Sequence, residues 1–395
     1  MNVPLLDLHP QTAALRDDIL RAVTEVVDST AYILGPKVMQ LEQDVAAYCG
    51  AGFGIGVSSG TDALLMTLMA LEIGPGDRVL TTPYSFFATV GAILRVGALP
   101  VFADVAEATF NIDPDKMAEL LADDAKNGKT IKAIIPVHLF GQCADMGKIM
   151  ALAQTYGIPV IEDAAQAIGS EYPMQEKNGS TVWRNAGAMG LVGCYSFFPS
   201  KNLGCLGDGG MVVTSDKAFA ETLRCYRNHG AQPKYYHAKI GGNFRLDPIQ
   251  AAVLSVKLPH LEQWHKQRQK NSRIYCELFA QAGLTDNPVI LPKAVHAASP
   301  DAAAHNHHIY NQFVIRAPRR EELRKHLQEK GVGCEIYYPV CLHKQDCMKK
   351  YGSNELSMPI AEQLAQDSLA LPIFPELRRE QQEYVVEVIA EFYRA

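Results

Sequence analysis

The chain has 395 residues, of which 48% are hydrophobic, and its formal net charge is −6. A chain of this length is expected to form two domains of unequal size, and mild acidity without a basic run gives no reason to expect a nucleic-acid partner. Since the sequence has neither the ~20-residue apolar stretch of a membrane helix nor the apolar core of a secretion signal, a cytoplasmic protein without a membrane partner is the simplest interpretation.

Over the first two thirds of the chain, short apolar runs alternate with stretches of helical periodicity. The predicted strands are residues 53–57, 78–82, 99–103, 132–137, 158–162, 191–197 and 210–214. The predicted helices are residues 61–71, 88–96, 146–156 and 217–228. This alternation predicts an α/β fold with a mainly parallel sheet that helices cover on both faces.

The pattern changes near Asp247, where a long helical stretch, residues 247–282, contains Pro259 as a kink or break. The elements predicted after it are a loop at 294–307, a strand at 308–315, a helix at 321–330, a strand near 334–338 and a helix at 380–393. We therefore predict a large α/β domain at residues 1–255 and a smaller α+β domain at residues 256–395.

The nine cysteines are scattered, with no CxxC motif and no zinc-ligand spacing. Their odd number and the missing secretion signal favour reduced thiols over a disulfide framework. The sequence therefore predicts no metal site.

The segment Ser58-Ser59-Gly60-Thr61-Asp62 joins a predicted strand to a predicted helix. Backbone N–H groups at a helix start are free to bind an anion. Gly60 allows a close approach, and Thr61 adds a hydroxyl. Taken alone, however, the segment is better explained as an ordinary helix cap.

Two acids, Glu162 and Asp163, end an apolar predicted strand. Burying them is costly unless a cation meets them. The pyridine nitrogen of pyridoxal 5′-phosphate (PLP) is such a partner, and an ionised Asp163 would preserve the ring as an electron sink. Gln166 is then placed to bond the phenolic oxygen of the ring, although a helix cap remains a serious alternative for the acids.

Lys201 lies between an apolar strand and the glycine-rich segment from Gly204 to Gly210. Desolvation of such a lysine lowers its pKa and makes the amine nucleophilic towards an aldehyde. Ser196, five residues earlier, is placed to donate to a cofactor phosphate. The alternative is an exposed loop lysine.

An aromatic ring in the segment Ser85-Phe86-Phe87, after the second predicted strand, could stack on a pyridine ring, although a core position is the commoner role. Each alternative is reasonable for its own segment. Along the chain, the four segments supply an anion-binding turn, an aromatic ring, an acid and a lysine, all at strand ends. Because ligands bind at strand carboxyl ends in open α/β sheets, the combination predicts a PLP-dependent enzyme.

From about Leu5 to Val388 the chain resembles the DegT/DnrJ/EryC1/StrS family of PLP-dependent nucleotide-sugar aminotransferases, which have fold type I. The motifs that carry the resemblance are Tyr32-Ile-Leu-Gly-Pro36, Ser59-Gly-Thr-Asp-Ala63, Gly74-Pro-Gly-Asp77, Pro136-Val-His-Leu-Phe-Gly141, Glu162-Asp-Ala-Ala-Gln166, Ser196-Phe-Phe-Pro-Ser-Lys-Asn-Leu-Gly204, Gly207-Asp-Gly-Gly210, Arg227-Asn-His-Gly230, Gly242-Asn-Phe-Arg-Leu-Asp247 and Tyr338-Pro-Val-Cys-Leu-His343. The resemblance implies a large domain with a mainly parallel mixed sheet and a smaller C-terminal α+β domain.

The resemblance also implies catalytic roles. Lys201 would carry PLP as a Schiff base and shuttle protons. Asp163 would pair with the pyridine nitrogen and Gln166 with the phenolic oxygen. Phe86 would stack on the ring.

The remaining roles concern the phosphate, the subunit contact and the substrate. Gly60, Thr61 and Ser196 would hold the cofactor phosphate. Asn243 would reach the phosphate of the neighbouring subunit, which implies a homodimer with shared active sites. The residues near the substrate would be Arg245, Tyr338 and His343.

The implied reaction moves an amino group from an amino acid, L-glutamate in the family, to a nucleotide-linked keto sugar. One alternative is a sugar dehydratase of the same family that uses pyridoxamine phosphate, but there a histidine replaces the lysine found here at Lys201. A non-catalytic regulatory protein is the other alternative, which the negative charge and the complete set of Asp163, Gln166 and Lys201 disfavour.

Two features depart from the family pattern. Residues 172–183 form an unusually long stretch before Lys201, where the family usually has a short hairpin. Cys341 stands where proline is more usual. The longer stretch bears on access and substrate choice, so the resemblance does not identify the sugar.

Overall fold

The computed structural model describes residues 1–176 and 178–394. The strands are β1 (Phe53–Val57), β2 (Arg78–Thr81), β3 (Leu99–Phe102), β4 (Ile131–Ile135), β5 (Ile161–Asp163), β6 (Glu171–Gln175), β7 (Thr181–Asn185), β8 (Val192–Ser196), β9 (Gly210–Thr214), β10 (Phe313–Arg316) and β11 (Ser368–Leu371). The helices are α1 (His9–Ser29), α2 (Pro36–Cys49), α3 (Gly60–Ala70), α4 (Ala88–Arg95), α5 (Pro114–Lys126), α6 (Met146–Tyr156), α7 (Lys217–Arg227), α8 (Pro248–Lys257), α9 (Leu261–Gln281), α10 (Arg320–Glu329), α11 (Pro359–Asp367) and α12 (Arg379–Arg394).

Seven strands follow one another across the centre of the molecule in the order β1-β9-β8-β5-β4-β2-β3. Parallel bridges from Ile134 to Val160 and from Val137 to Asp163 join β4 to β5. All neighbours are parallel except β9, which is antiparallel to β1 and β8. The carboxyl ends of the six parallel strands therefore share one edge with the start of β9, and the predicted α/β fold with a mainly parallel sheet is confirmed.

Most predicted elements of the first two thirds are present within a few residues of their predicted ends. The strand predicted at residues 158–162 begins later, because the N–H of Ile158 still bonds to the carbonyl of Ala153 at the end of α6. Pro259 lies in a short 3₁₀ turn between α8 and α9, so the predicted interruption of the long helical stretch is present.

In the C-terminal third, two predicted strands differ from the structure, and α11 and β11 were not predicted. β10 starts only at Phe313, because the N–H groups of Ile309 and Asn311 bond instead to the carbonyls of Gly141 and Phe140. The strand predicted near residues 334–338 is reduced to one bridge from Glu335 to Ala370. Instead of extending a strand, both segments contact the first two thirds of the chain.

Helix α9 joins two hydrophobic cores. Leu261 and Trp264, near its start, are buried in the core beneath the central sheet. Tyr275 and Phe279, further along, are buried in the second core, which contains side chains of β10, β11, α10 and α12. Val3 also lies in the second core. The division at residues 255 and 256 stays a prediction, with α9 contributing to both cores.

The long stretch before Lys201 is an antiparallel hairpin of β6 and β7. Residue 177, between the two strands in the sequence, lies outside the described residues. Trp183 donates from its indole Nε1 to the carbonyl of Pro300 at 3.0 Å and stacks on His305 with ring centroids 4.5 Å apart. The hairpin is thereby docked on the loop predicted at residues 294–307.

Across residues 1–176 and 178–394, no helix is both long enough and apolar enough to cross a bilayer.

Candidate active site

The start of α3 meets the end of β8 and the start of β9 at the carboxyl edge of the sheet. Ser59 Oγ accepts a 3.1 Å hydrogen bond from the N–H of Asp62 and caps the helix. A Cβ atom added at Gly60 would lie 2.7 Å from Ser196 Cβ, and one at Gly210 would lie 2.5 Å from the carbonyl carbon of Ser59. Only glycines permit this approach, which brings the free N–H groups of the first helical turn beside Ser196, as an anion site requires.

Asp163 ends β5 with 4% of its surface exposed. Its carboxylate accepts from Thr89 Oγ1 at 2.8 Å and from the N–H of Ala165 at 3.3 Å. Burial raises the pKa of Asp163, while these hydrogen bonds and the charge of Lys201 act in the opposite direction. None of the salt bridges within the described parts of the chain includes Asp163, so this buried acid still lacks a close cationic partner.

Glu162 lies beside Asp163 in the strand but is paired differently. Its carboxylate is fully buried and lies 2.8 Å from His138 Nε2. It also accepts from the N–H groups of Gly187, Met189 and Gly190 at 2.7, 2.7 and 2.6 Å. Glu162 therefore holds the loop before β8 in place. The sequence analysis missed His138 as its partner, although Pro136-Val-His138 was among the motifs that carried the resemblance.

Lys201 follows β8 and is half-buried. Burial lowers the pKa of its amine to about 8, although the charge of Asp163 acts to raise it. The next residue, Asn202, is buried and accepts from the side-chain amide of Asn311 at 2.8 Å. The lysine therefore has a fixed attachment point and an amine that is neutral over part of the ordinary pH range.

Gln166, Tyr338 and Phe86 lie together beside Asp163. Gln166 Oε1 accepts from the N–H of Phe140 at 2.7 Å, and its Nε2 donates to the Tyr338 hydroxyl at 3.2 Å. The Phe86 ring is 61% exposed, and its centroid lies 6.3 Å from that of Tyr338. The charge of Asp163 contributes to a raised pKa of Tyr338. Three predicted residues from distant parts of the chain therefore lie in one cluster.

Thr61 and Arg245 lie near the α3 start, and Asn243 lies nearby in the chain. Thr61 belongs to the first turn of the helix. Arg245 donates to the Asn228 side chain at 2.8 Å and lines a cavity of about 400 Å³ together with Ser59. Asn243 is exposed, and its backbone pairs with that of Asn228.

His343 is placed away from this cluster. Its side chain is fully buried, with Nε2 3.0 Å from Glu362 and the ring 6.0 Å from the Phe102 ring. Its contacts in the described structure are with these neighbours and not with Lys201, Asp163 or Gln166. The structure therefore does not bring His343 together with the other predicted residues.

The residues present fit PLP. Lys201 offers an amine with a lowered pKa, the buried Asp163 suits the cationic pyridine nitrogen, and the start of α3 suits a phosphate. Within the described residues, no group of three or more His, Cys, Asp or Glu side chains is placed to hold a metal ion. The fold and these groups define the class of fold type I PLP-dependent transferases.

Comparison with known proteins identifies the family within this class. A model of the DegT/DnrJ/EryC1/StrS aminotransferase family matches residues 13–390, and the chain belongs to this family. The predicted family, fold type I architecture and PLP cofactor are thereby confirmed. The chain is a PLP-dependent aminotransferase.

Three relatives are similar over nearly their whole length. A pleiotropic regulatory protein of Geobacillus stearothermophilus is 48% identical, with 100% of this chain and 99% of the relative covered. The UDP-N-acetyl-3-dehydro-α-D-glucosamine 3-aminotransferase of Acidithiobacillus ferrooxidans is 41% identical, with 98% and 97% covered. The crystal structure of Streptomyces venezuelae DesV in complex with a ketimine intermediate has a TM-score of 0.89 and 37% identity, with 100% and 99% covered.

Proposed function

We propose that this enzyme transfers an amino group from L-glutamate to a nucleotide-linked keto sugar, and that the carbonyl it aminates is at C3 of the sugar. The observation that carries the proposal is the position of Lys201, a lysine whose pKa is lowered by burial and is also affected by the charge of Asp163. The A. ferrooxidans relative, a 3-aminotransferase of a UDP-linked 3-keto sugar by its name, supports the acceptor class and the carbon.

We assign each cofactor contact to one residue or one short segment. Lys201 forms the covalent bond to PLP, and Asp163, held by Thr89, keeps the pyridine nitrogen protonated. Gln166 bonds the phenolic oxygen, and Phe86 stacks on the ring. The first turn of α3 binds the phosphate, with Gly60, Thr61 and Ser196 as the contacts.

Bound PLP supplies a conjugated ring that stabilises negative charge on the carbon next to the transferred nitrogen. The protein moves the protons. Lys201 Nζ, as a free amine, would take the α-proton of L-glutamate as a general base. In the second half of the reaction, the same amine returns a proton to the former carbonyl carbon of the sugar.

Two residues of the site are proposed to contact the substrate. Tyr338 supplies a hydroxyl beside Gln166, and Arg245 supplies a cation near the start of α3. His343, which is buried against Glu362, supports the segment that carries Tyr338 rather than touching the substrate.

A homodimer is part of the proposal. Three large apolar side chains in the segment before Asn243 are strongly exposed, namely Tyr235 (80%), Tyr236 (71%) and Ile240 (90%). Exposed apolar patches of this kind are typical of protein interfaces. We place this segment in the subunit contact, with Asn243 reaching the phosphate site of the partner.

The cysteines support a cytoplasmic location. All nine are free thiols, and most are buried. Free thiols of this number are usual in a reducing compartment.

The test is a reaction of the purified enzyme, loaded with PLP, with L-glutamate and a UDP-linked 3-keto sugar. The product mass should show the carbonyl oxygen replaced by an amino group, with 2-oxoglutarate formed in equal amount. A product that has lost a hydroxyl without gaining nitrogen would instead identify a dehydratase. The same reaction with 4-keto sugars tests the carbon.

A regulatory function is the second candidate, because the G. stearothermophilus relative carries that description. It predicts binding to DNA that weakens as salt is added. We expect no such binding, and a salt-dependent complex would favour the regulatory alternative.

A further inference from the structure

The Tyr84 hydroxyl joins the two parts of the chain behind the active site. Tyr84 follows β2 and is 1% exposed. Its hydroxyl lies 2.7 Å from the Tyr337 carbonyl, 2.9 Å from the Tyr338 N–H and 2.8 Å from Ser368 Oγ. A carbonyl can only accept and an N–H can only donate, so the Tyr84 proton goes to Tyr337 and Ser368 donates to Tyr84. These three bonds use the full capacity of a tyrosine hydroxyl.

Tyr338 connects this junction to the cofactor site. Its hydroxyl accepts from Gln166 Nε2 at 3.2 Å, while Gln166 Oε1 accepts from the N–H of Phe140. The Gln166 amide is thus fixed at both ends, and its second N–H is left for a ligand in the cleft. Burial, and then the charge of Asp163, raise the pKa of Tyr338, so its hydroxyl keeps its proton at neutral pH.

We propose that Tyr84 is a positioning residue whose hydroxyl fixes the backbone of Tyr337 and Tyr338, so that Tyr338 holds the Gln166 amide in place against PLP. The inference rests on the proposed function, in which Gln166 bonds the phenolic oxygen. Tyr84 acts through Tyr338. Because Ser368 begins β11, the same hydroxyl ties the second core to the edge of the central sheet.

The test measures how the visible absorption of PLP bound to the holoenzyme changes with pH. A donor to the phenolic oxygen competes with the protonated nitrogen that joins Lys201 to PLP, so loss of the donor raises the pH midpoint. Tyr338→Phe should raise the midpoint by roughly half a unit to one unit. Tyr84→Phe should raise it less, and the double variant should move no further than Tyr338→Phe alone. The measurement needs neither glutamate nor a sugar, so it is independent of the proposed acceptor.

Tyr275→Phe is the matched control. Tyr275 is fully buried, and its hydroxyl has no hydrogen-bond partner among the described residues, so the same substitution there should leave the midpoint unchanged. If Tyr84→Phe does not fold, Ser368→Ala removes only one of the three bonds and should shift the midpoint in the same direction. A wild-type midpoint in Tyr84→Phe, in Ser368→Ala or in Tyr338→Phe would overturn the proposal.

Discussion

Thr89 Oγ1 donates a 2.8 Å hydrogen bond to Asp163 Oδ2, which joins the first turn of α4 directly to the carboxyl end of β5. Both side chains are buried. Asp163, the acid proposed to pair with the cofactor, is therefore oriented by a residue that lies more than 70 positions earlier in the chain.

Removing the Thr89 hydroxyl should lower activity and PLP binding without unfolding the protein. Thr89→Val keeps the side-chain shape but leaves the buried carboxylate with one donor fewer, at a cost of about 1–3 kcal/mol. We expect a roughly tenfold or greater loss of kcat/KM and weaker PLP binding, measured by steady-state kinetics and cofactor titration. Thr155→Val removes a comparable hydroxyl from an exposed hydrogen bond to Ala151 and should leave both unchanged.

Replacing Lys201, the lysine proposed to carry PLP, should abolish both the visible absorption of the bound cofactor and turnover. In Lys201→Ala the covalent bond to PLP and the base that moves protons are both absent, and general bases contribute about 10²–10⁴-fold to rates. Absorption spectra and transamination assays check this. Lys148→Ala, on an exposed helix face, is the control, and normal turnover in Lys201→Ala would end the proposed mechanism.

Reconstitution of the cofactor-free protein with PLP should depend on pH through Lys201. Only the neutral amine attacks the aldehyde, and a lysine is neutral above its pKa. With that pKa lowered from 10.5 to about 8 by burial, the rate should rise with pH and level off above about 8.

Asp163→Asn gives a second test of the Lys201 pKa, because the charge of Asp163 acts to raise that pKa. The midpoint of the rate profile should therefore move to lower pH in the variant. Stopped-flow absorption follows the reaction. A midpoint at the ordinary lysine value in the wild type would contradict the burial of this amine.

The buried pair of Glu162 and His138 should contribute strongly to stability. Glu162→Gln leaves His138 and three backbone donors with a weaker partner, and breaking one side of a buried pair costs about 3–5 kcal/mol. The free energy of unfolding, obtained by denaturant titration, should fall accordingly. Glu176→Gln, which breaks an exposed pair with Arg184, should cost less than about 1 kcal/mol.

The parts of the site that were predictable are those set by local sequence. The turn into α3, Asp163 at a strand end and Lys201 before a glycine-rich loop each show their chemistry within a few neighbouring residues, and the sheet places all three at one edge. Gln166 was assigned to the same ring from its position three residues after Asp163, and the family resemblance then selected Phe86 from the segment Ser85-Phe86-Phe87.

The partners of these residues were not predictable, because they depend on which strands become neighbours. Thr89 reaches Asp163 only after the first turn of α4 comes close to the end of β5, and His138 reaches Glu162 only because β4 and β5 are adjacent. Tyr84 shows no local signal at all, since its three partners come from the last sixth of the chain. His343 matched the family by its motif, but the motif gave no information about its burial.

The pairing of Val3 has a consequence for synthesis on the ribosome. Val3 donates to the carbonyl of Gly331 at 2.9 Å and accepts from the N–H of Gly333 at 2.7 Å. Gly331 and Gly333 are translated long after Val3. The backbone of the N-terminal segment therefore stays unpaired until these residues have left the ribosome. Because chains generally fold domain by domain during translation, the central sheet can form while this segment is still free, and its capture by the second core is a late step of folding.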